Sequence, residues 1–461
     1  DPEGAVYTIT GYETKIVPYT EMEINTIEKL TLIAGKARLE PELKFTSLMH
    51  LLNVPYLLDC YRLLKKKKAA GIDGRTLESY TDKEMKSKLE EMILQIKEKR
   101  YYPQPVRRVY IESGERKRRP LGIPTVIDKV IQLGITRILE AIYESTFLSV
   151  SHGYRPGRNA HEALKEINHM IMGKYVNWII DADIKAFFDH INHKVMIRCL
   201  EERISDPNFK LLINRFLKAH VMEEGTIRPT EEGTPQGGIV SPILANIYLH
   251  YVLDLWFEKR EKKKLKGYAQ LVRYADDFLI GIQHRNEAET LLNSLKERLD
   301  KFGLKLSEEK TRIIEFGRFA GENVKRRMNG KPKTFNFAGF THYCTKTRDG
   351  RFMVRVKTER RRMNRSVTAM KQWIQKAHNI VLLPVIWQKI TQKLQGHYQY
   401  YGVSGNFESI NRYYHKTRSL LFKWINRRSQ KKTWNWEGYT KYLKNYPLPK
   451  PKLTYAFYNT W

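Results

Sequence analysis

Asp276 and Asp277 stand side by side in Tyr274-Ala275-Asp276-Asp277, between the apolar runs Leu271-Val272-Arg273 and Phe278-Leu279-Ile280-Gly281-Ile282. The pattern predicts a β-hairpin with two acids at its tip. Far upstream, Trp178-Ile179-Ile180-Asp181-Ala182-Asp183-Ile184 reads as a second apolar strand that ends in acid. Carboxylates on adjacent strand ends can cage two divalent cations roughly 4 Å apart, the arrangement that serves phosphoryl and nucleotidyl transfer. Oxygen ligands of this kind suit hard Mg2+. One metal would sharpen a hydroxyl nucleophile, and the other would hold a triphosphate and its leaving pyrophosphate. The residues alone leave two matters open. An Asp pair at a hairpin tip can be plain turn chemistry, and Asp181 competes with Asp183, because residues two apart on a strand share a face.

Composition narrows the substrate. The 461 residues carry 82 Lys and Arg against 50 Asp and Glu, a net charge of +32. An excess this large predicts a long contact with a polyanion and steep salt dependence, so nucleic acid is the expected substrate. No run of about 18 apolar residues exists to span a bilayer, and no signal peptide is visible. Three scattered cysteines, Cys60, Cys199 and Cys344, form no CxxC pair. That argues against a disulfide framework and a Cys-ligated zinc site, and fits a reducing cytosol. The 13 histidines offer no HxxxH or HxH cluster; His152, His190 and His193 are expected to serve hydrogen bonding.

The acids need a scaffold, and the periodicities outline one. Residues 46–100 read as helices. Val106–Ile111, the turn Ser113-Gly114 and the return Lys117–Leu121 predict a β-hairpin. Residues 125–150 and 158–173 read as amphipathic helices. Between 178 and 345 short strands alternate with helices, an α+β layout with acids at strand ends and no Gly-rich phosphate loop. From 358 onward the chain turns to basic helices with three apolar stripes: Met363, Val367, Met370 and Ile374; Ile386, Ile390 and Leu394; Tyr413, Thr417, Leu420, Leu421 and Trp424. These predict a small bundle. Pro447, Pro449 and Pro451 mark an extended tail. Residues 1–45 show no strong period.

The loop Gly233-Thr234-Pro235-Gln236-Gly237-Gly238-Ile239-Val240-Ser241-Pro242 feeds the helix Ile243–Leu249. Its glycines let backbone approach a base or ribose closely, and a helix N-terminus favours phosphate. An acid-tipped strand followed by Phe187-Phe188, then this loop, then Tyr274–Asp277, in that order, resembles the reverse transcriptases encoded by group II introns. Supporting segments fall in matching order: Gly71-Ile72-Asp73-Gly74, Arg119–Pro124, His152–Arg158, Leu304–Thr311 and Phe337–Phe340. The similarity covers roughly residues 45–440.

The resemblance implies a right-hand polymerase of α+β class. It places fingers and a palm with an antiparallel sheet at 46–340, and an α-helical thumb, or maturase domain X, at 341–428. An N-terminal extension at 1–45 and a basic aromatic tail at 429–461, a candidate DNA-binding segment, complete the division. It makes Asp183, Asp276 and Asp277 catalytic and, with Ile184, the site of two Mg2+ ions, which demotes Asp181. Phe188 matches the bulky residue under the incoming sugar, where an aromatic ring would clash with a ribose 2′-hydroxyl; core packing is its plainer reading. Gln236 and Gly237 match the nucleotide-side loop. Lys117 and Arg119 lie on the hairpin that would close over the triphosphate, and Lys310 matches a lysine near the phosphates. Many relatives carry a lysine nearer the start of that hairpin turn, where this chain has Glu112 and Ser113.

The C-terminal helices resemble the domain that binds intron RNA and helps it fold for splicing. Candidate nucleic-acid contacts are Arg155, Arg158, Arg360, Arg361, Arg362, Arg427, Arg428, Trp434 and Trp436, since aromatics can stack bases and cations track phosphates. Solvated helix faces and core packing are the plainer readings. The expected partners are group II intron RNA, an RNA template with a DNA primer, target DNA and dNTP, with no membrane. The expected location is the bacterial cytosol, with action at the nucleoid. Many relatives add an HNH nuclease with paired cysteines; no such pairs occur here, so priming from a pre-existing 3′ end is expected. Two rival roles are a splicing factor with a vestigial polymerase site and a repurposed reverse transcriptase in antiviral defence or spacer acquisition. Three intact aspartates weigh against the first, and genomic neighbourhood would separate the second.

Overall fold

The computed structural model describes residues 21–112, 118–223, 225–229, 232–234, 237–327, 330–428 and 434–457. In chain order the helices are α1 (Glu21–Leu39), α2 (Val54–Leu63), α3 (Asp82–Lys97), α4 (Val126–Tyr143), α5 (Ala160–Gly173), α6 (His193–Glu201), α7 (Pro207–Leu217), α8 (Ser241–Leu249), α9 (Arg285–Asp300), α10 (Ala320–Arg326), α11 (Arg360–Ala377), α12 (Leu383–Tyr401), α13 (Phe407–Ile425) and α14 (Trp436–Asn445). The strands are β1 (Val106–Glu112), β2 (Arg118–Ile123), β3 (Trp178–Asp183), β4 (Val221–Glu223), β5 (Thr226–Arg228), β6 (Ala269–Tyr274), β7 (Asp277–Ile282), β8 (Arg312–Glu315), β9 (Phe335–Phe337), β10 (Phe340–Lys346) and β11 (Phe352–Thr358). Two compact units result. One takes residues up to 160, 180–280 and 286–312; the other takes 161–179, 281–285 and 313 onward. Among the described residues no helix is long and apolar enough to cross a membrane.

In the first unit α4 is the central helix, buried on nearly every side. Thr125 caps it by accepting the Asp128 N–H at 3.2 Å. The expected hairpin forms: β1 and β2 pair antiparallel from Arg107↔Ile123 to Glu112↔Arg118. β4 joins β1 in parallel, giving the order β2-β1-β4-β5. A second sheet has the order β6-β7-β3-β8. The Asn177 N–H at the start of β3 donates to the Ile282 C=O at the end of β7, at 3.0 Å. The two strands therefore run antiparallel, which brings the end of β3 to the edge at which β7 begins.

Residues 21–45 are more than an appendage. α1 packs on α4, and Arg203 donates to the carbonyls of Ala37, Glu40 and Leu43. Asp206 accepts the N–H groups of Leu48 and Met49 while capping α7. Burial opposes its charge, yet these four backbone donors hold its carboxyl below the usual range.

In the second unit β11-β10-β9 form an antiparallel sheet, so the region from 341 begins as sheet and turns helical only at α11. The three apolar stripes close on one another as expected. Met370, Ile390 and Leu421 lie in one core. That core also contains Tyr439 of α14 and Leu448. Residues 434–457 are thus a fourth helix and a strap built into the bundle. The strap is extended, as its prolines require. Tyr398 donates its hydroxyl to the Pro449 C=O at 3.1 Å, and the Tyr455 ring stacks on His161 at 3.8 Å.

Candidate active site

Asp183 is the last residue of β3 and Asp277 the first of β7. Asp276 occupies the turn between β6 and β7, and both acids of that turn are half-buried. The antiparallel pairing of β3 and β7 brings Asp183 to the same sheet edge as this turn. The next residues of β3 are tied to a third segment. Ser307 N–H donates to Asp183 C=O and Lys185 N–H to Lys305 C=O, both at 2.8 Å, across the Ile184↔Leu306 bridge. Ile184, expected at the metal, has a buried side chain; only its backbone could serve an ion.

Each of the two competing aspartates on β3 has a cation. The Lys310 ammonium lies 2.8 Å from Asp183 Oδ2. Arg312 holds Asp181 Oδ2 through Nε and Nη2 at 3.1 and 3.0 Å. Burial raises the Asp181 carboxyl above its ordinary range, opposed by Arg312 and reinforced by Asp183. Lys310 was expected at nucleotide phosphates; here it neutralises the first aspartate. The donor chemistry fits a hard divalent ion, with carboxylate oxygens at neighbouring strand ends and a positive group already drawn to one of them. Among the described residues, however, no three His, Cys, Asp or Glu side chains form a group that could hold a metal. Carboxylates that share a site need a cation or a shared proton between them, and the cation beside Asp183 here is Lys310.

The loop before α8 is anchored on Phe188 and α4. Phe188 is 7% exposed, with its ring 5.3 Å from that of Phe187. Its carbonyl accepts the Thr234 N–H at 2.8 Å. Buried His193 bonds the Gly233 C=O. Gly237 has φ +113 and lies so close to β2 that a Cβ there would come 2.5 Å from the Gly122 oxygen. Only glycine fits that contact, so the loop and the hairpin touch at this point. Lys117 and Gln236 lie outside the described residues. Arg119 pairs with Ile111 across the hairpin.

Sequence reading missed the groups that hold these pieces. Gln132, buried on α4, accepts the Ile239 and Val240 N–H groups at 2.7 and 3.4 Å. Arg273 and Asp254 are both 0% exposed and paired at 2.6 Å. A polar residue inside an apolar run was the available signal in each case.

The expected nucleic-acid contacts divide. Arg155 is a correction: it is buried, ion-paired to Glu144 at 2.7 Å, and bonded to the carbonyls of Leu148 and Ser151. Its guanidinium is committed to protein. Arg158 is half-buried beside it, its N–H on the Arg155 carbonyl. Trp434 is a second correction. It packs against the bundle core, 4.5 Å from Tyr442, and its backbone is held on both sides by Asn426. Trp436 is 48% exposed, with Arg418 over its ring. Arg360, Arg361 and Arg362 are exposed at the start of α11; Arg362 lies 3.7 Å from Glu359. Arg427 and Arg428 are exposed at the end of α13, the first over Trp424 and the second bonded to the Val381 carbonyl.

Comparison with known proteins gives this geometry relatives. The family described as reverse transcriptase (RNA-dependent DNA polymerase) matches residues 111–342. The group II intron-encoded protein LtrA of Lactococcus lactis subsp. cremoris is 32% identical over 420 residues, covering 76% of this chain and 69% of that protein. Protein YkfC of Escherichia coli is 30% identical over 318 residues, covering 61% and 82%. A shorter match, 30% identical over 141 residues, joins 30% of the chain to 17% of the nuclear intron maturase 4, mitochondrial, of Arabidopsis thaliana.

Proposed function

The chain belongs to the group II intron-encoded reverse transcriptases, RNA-directed DNA polymerases that also act as maturases, and we propose how its own residues divide that work. Asp183, Asp276 and Asp277 are the catalytic carboxylates and, with the Ile184 backbone, would hold two Mg2+ ions, whose chemistry would be to activate the primer 3′-hydroxyl and to neutralise the triphosphate. Lys310, paired with Asp183 at 2.8 Å, would lie beside bound metal and is assigned to the nucleotide phosphates. Arg312 keeps Asp181 out of the ligand set. The loop that Phe188 and Gln132 support at Thr234 and at Ile239–Val240 is assigned to the nucleotide: Gln236 and Gly237 to the dNTP, and Lys117 and Arg119 of the hairpin to the triphosphate. The Phe188 ring sets the sugar preference from beneath.

The first unit supplies fingers and palm. The bundle α11–α14, its strap included, acts as thumb and maturase surface, with Arg360, Arg361, Arg362, Arg427, Arg428 and Trp436 toward intron RNA, the template–primer and target DNA. The antiparallel pairing that brings Asp183 to the Asp276-Asp277 edge is the observation that carries this reading. Its test is Asp276→Ala with an RNA template, a DNA primer and dNTP. Incorporation should fall at least about a thousandfold, as expected for loss of a metal ligand, while intron RNA binding stays near the parent's. Primer extension equal to the parent's would refute the assignment.

A further inference from the structure

We infer that Arg273, acting with Asp254 and Asn246, is a positioning residue that fixes the turn Ala275–Asp277 where its carboxylates can share a cation with Asp183. The inference rests on the reading of those aspartates as metal ligands. Arg273 lies in β6 three residues before Asp276 and is fully buried, as is Asp254. Its fork is bidentate: Nε to Asp254 Oδ1 at 2.8 Å and Nη2 to Oδ2 at 2.6 Å. The remaining nitrogen, Nη1, donates to the Ala275 C=O at 2.9 Å and to Asn246 Oδ1 at 3.0 Å.

Ala275 is the residue that makes the turn, with φ +60. A side chain in the left-handed region costs roughly 1–2 kcal/mol, so it persists where neighbours over-determine it. Here they do so from two sides. Arg273 grips the Ala275 carbonyl, and Gly153 lies so close that a Cβ on it would come 2.3 Å from the Ala275 nitrogen. Gly153 is held in turn by Asn246 Nδ2, which donates to its carbonyl at 2.7 Å. The backbone of Arg273 is also locked: its N–H donates to Val150 C=O and its C=O accepts the His152 N–H, at 2.8 and 2.9 Å. Were Arg273 and Asp254 bonded only to each other, an apolar pair in their place would serve stability as well or better. What the ion pair adds is a directed donor aimed at the turn. Asn246 sits on α8, the helix fed by the Gly237–Val240 loop, so one network ties the nucleotide side to the acid side.

The test uses the full chain and two measurements: Mn2+ binding by EPR without substrate, and single-nucleotide incorporation with dNTP varied. Arg273→Met/Asp254→Leu removes both charges together. It strips the donor from the Ala275 carbonyl and Asn246 Oδ1 and so should melt below the parent while still folding, and it should lose about a hundredfold in kcat with KM for dNTP within about threefold, as misplacement by about an ångström predicts. Its Mn2+ affinity should fall about tenfold, a loss of roughly 1.4 kcal/mol. A folded double variant with parental kcat and Mn2+ binding overturns the role. Should the double variant not fold, Asn246→Ala decides, because it keeps the ion pair and cuts the link to Gly153. Weaker Mn2+ binding supports the inference, and unchanged binding and kcat overturn it. Asp276→Ala separates the two levels. If that variant binds Mn2+ and extends primers like the parent, the metal-site reading fails and takes this inference with it. If it is inactive while the Arg273 variants are parental, only the role of Arg273 fails.

Discussion

Arg273 and Arg361 are one residue type under opposite conditions. Arg273 has no exposed surface and four bonds to protein; Arg361 stands in water at the head of α11. The contrast extends to their surroundings. Around the acid turn and the loop before α8, polar side chains are buried and directed: Asp254 bonds Arg273, and Asn246, Gln132 and Arg155 bond backbone. In the bundle the core is apolar and aromatic, and the cations lie outside it. Under the function proposed above, the first region places groups for bond-making, where about an ångström of error is costly, and the second tracks a polyanion whose phosphates repeat, where mobile charge suffices. Buried charge defines position, and exposed charge supplies affinity.

Four variants would break or sharpen that contrast. Arg155→Met should cost about 3 kcal/mol in denaturant unfolding, because it leaves Glu144 without its partner, and should leave the salt dependence of RNA binding unchanged. If the salt slope drops and stability holds, Arg155 belongs with the RNA-facing cations after all. Leu421→Ala opens the bundle core and should cost about 2–4 kcal/mol; intact RNA affinity at a temperature where the bundle has melted would deny the bundle its role. Replacing Arg360, Arg361 and Arg362 together by Gln should weaken intron RNA binding by about ten- to a hundredfold at moderate salt and lower the salt slope by about two. The melting temperature should not move. An equal loss of stability would make these arginines structural.

The smallest effect is a pH dependence. Burial, then Glu144, pushes the Glu140 carboxyl up to about 7, opposed by Arg137. Between its unfolded value and about 7 the native state holds the extra proton, so stability is greatest at low pH and falls as pH rises through that window. Glu140→Gln should flatten this slope and gain roughly 1–3 kcal/mol at pH 8 relative to the parent. Parallel stability–pH curves for the two proteins would remove Glu140 from the account.

Patterns that repeat along the chain were legible in the sequence. The two acid-bearing strands alternate or run apolar between turn residues, and the bundle stripes recur at helical spacing, so their periods survive without tertiary knowledge. Features decided by a distant partner were not. Arg273 reads as the end of an apolar run until Asp254 is seen facing it. α14 is hidden because Tyr439 is its one fully packed residue among charged neighbours and prolines follow at once. Trp434, in a basic stretch, suggested exposure; its burial depends on Asn426 gripping its backbone. Lys310 on Asp183 depends on a segment more than a hundred residues away.

One feature of α8 sets a constraint of a different kind. Beyond Leu249 the helix widens into π-helical turns at His250–Asp254 and Phe257–Glu261, each accommodating an extra residue within the winding. Asp254 lies within the first. Removing a single residue between His250 and Leu253 would leave a plausible helix, yet swing Asp254 by about 100° around its axis and away from Arg273. In this stretch the number of residues matters more than their kind: conservative exchanges are forgiven there, and a one-codon deletion is not.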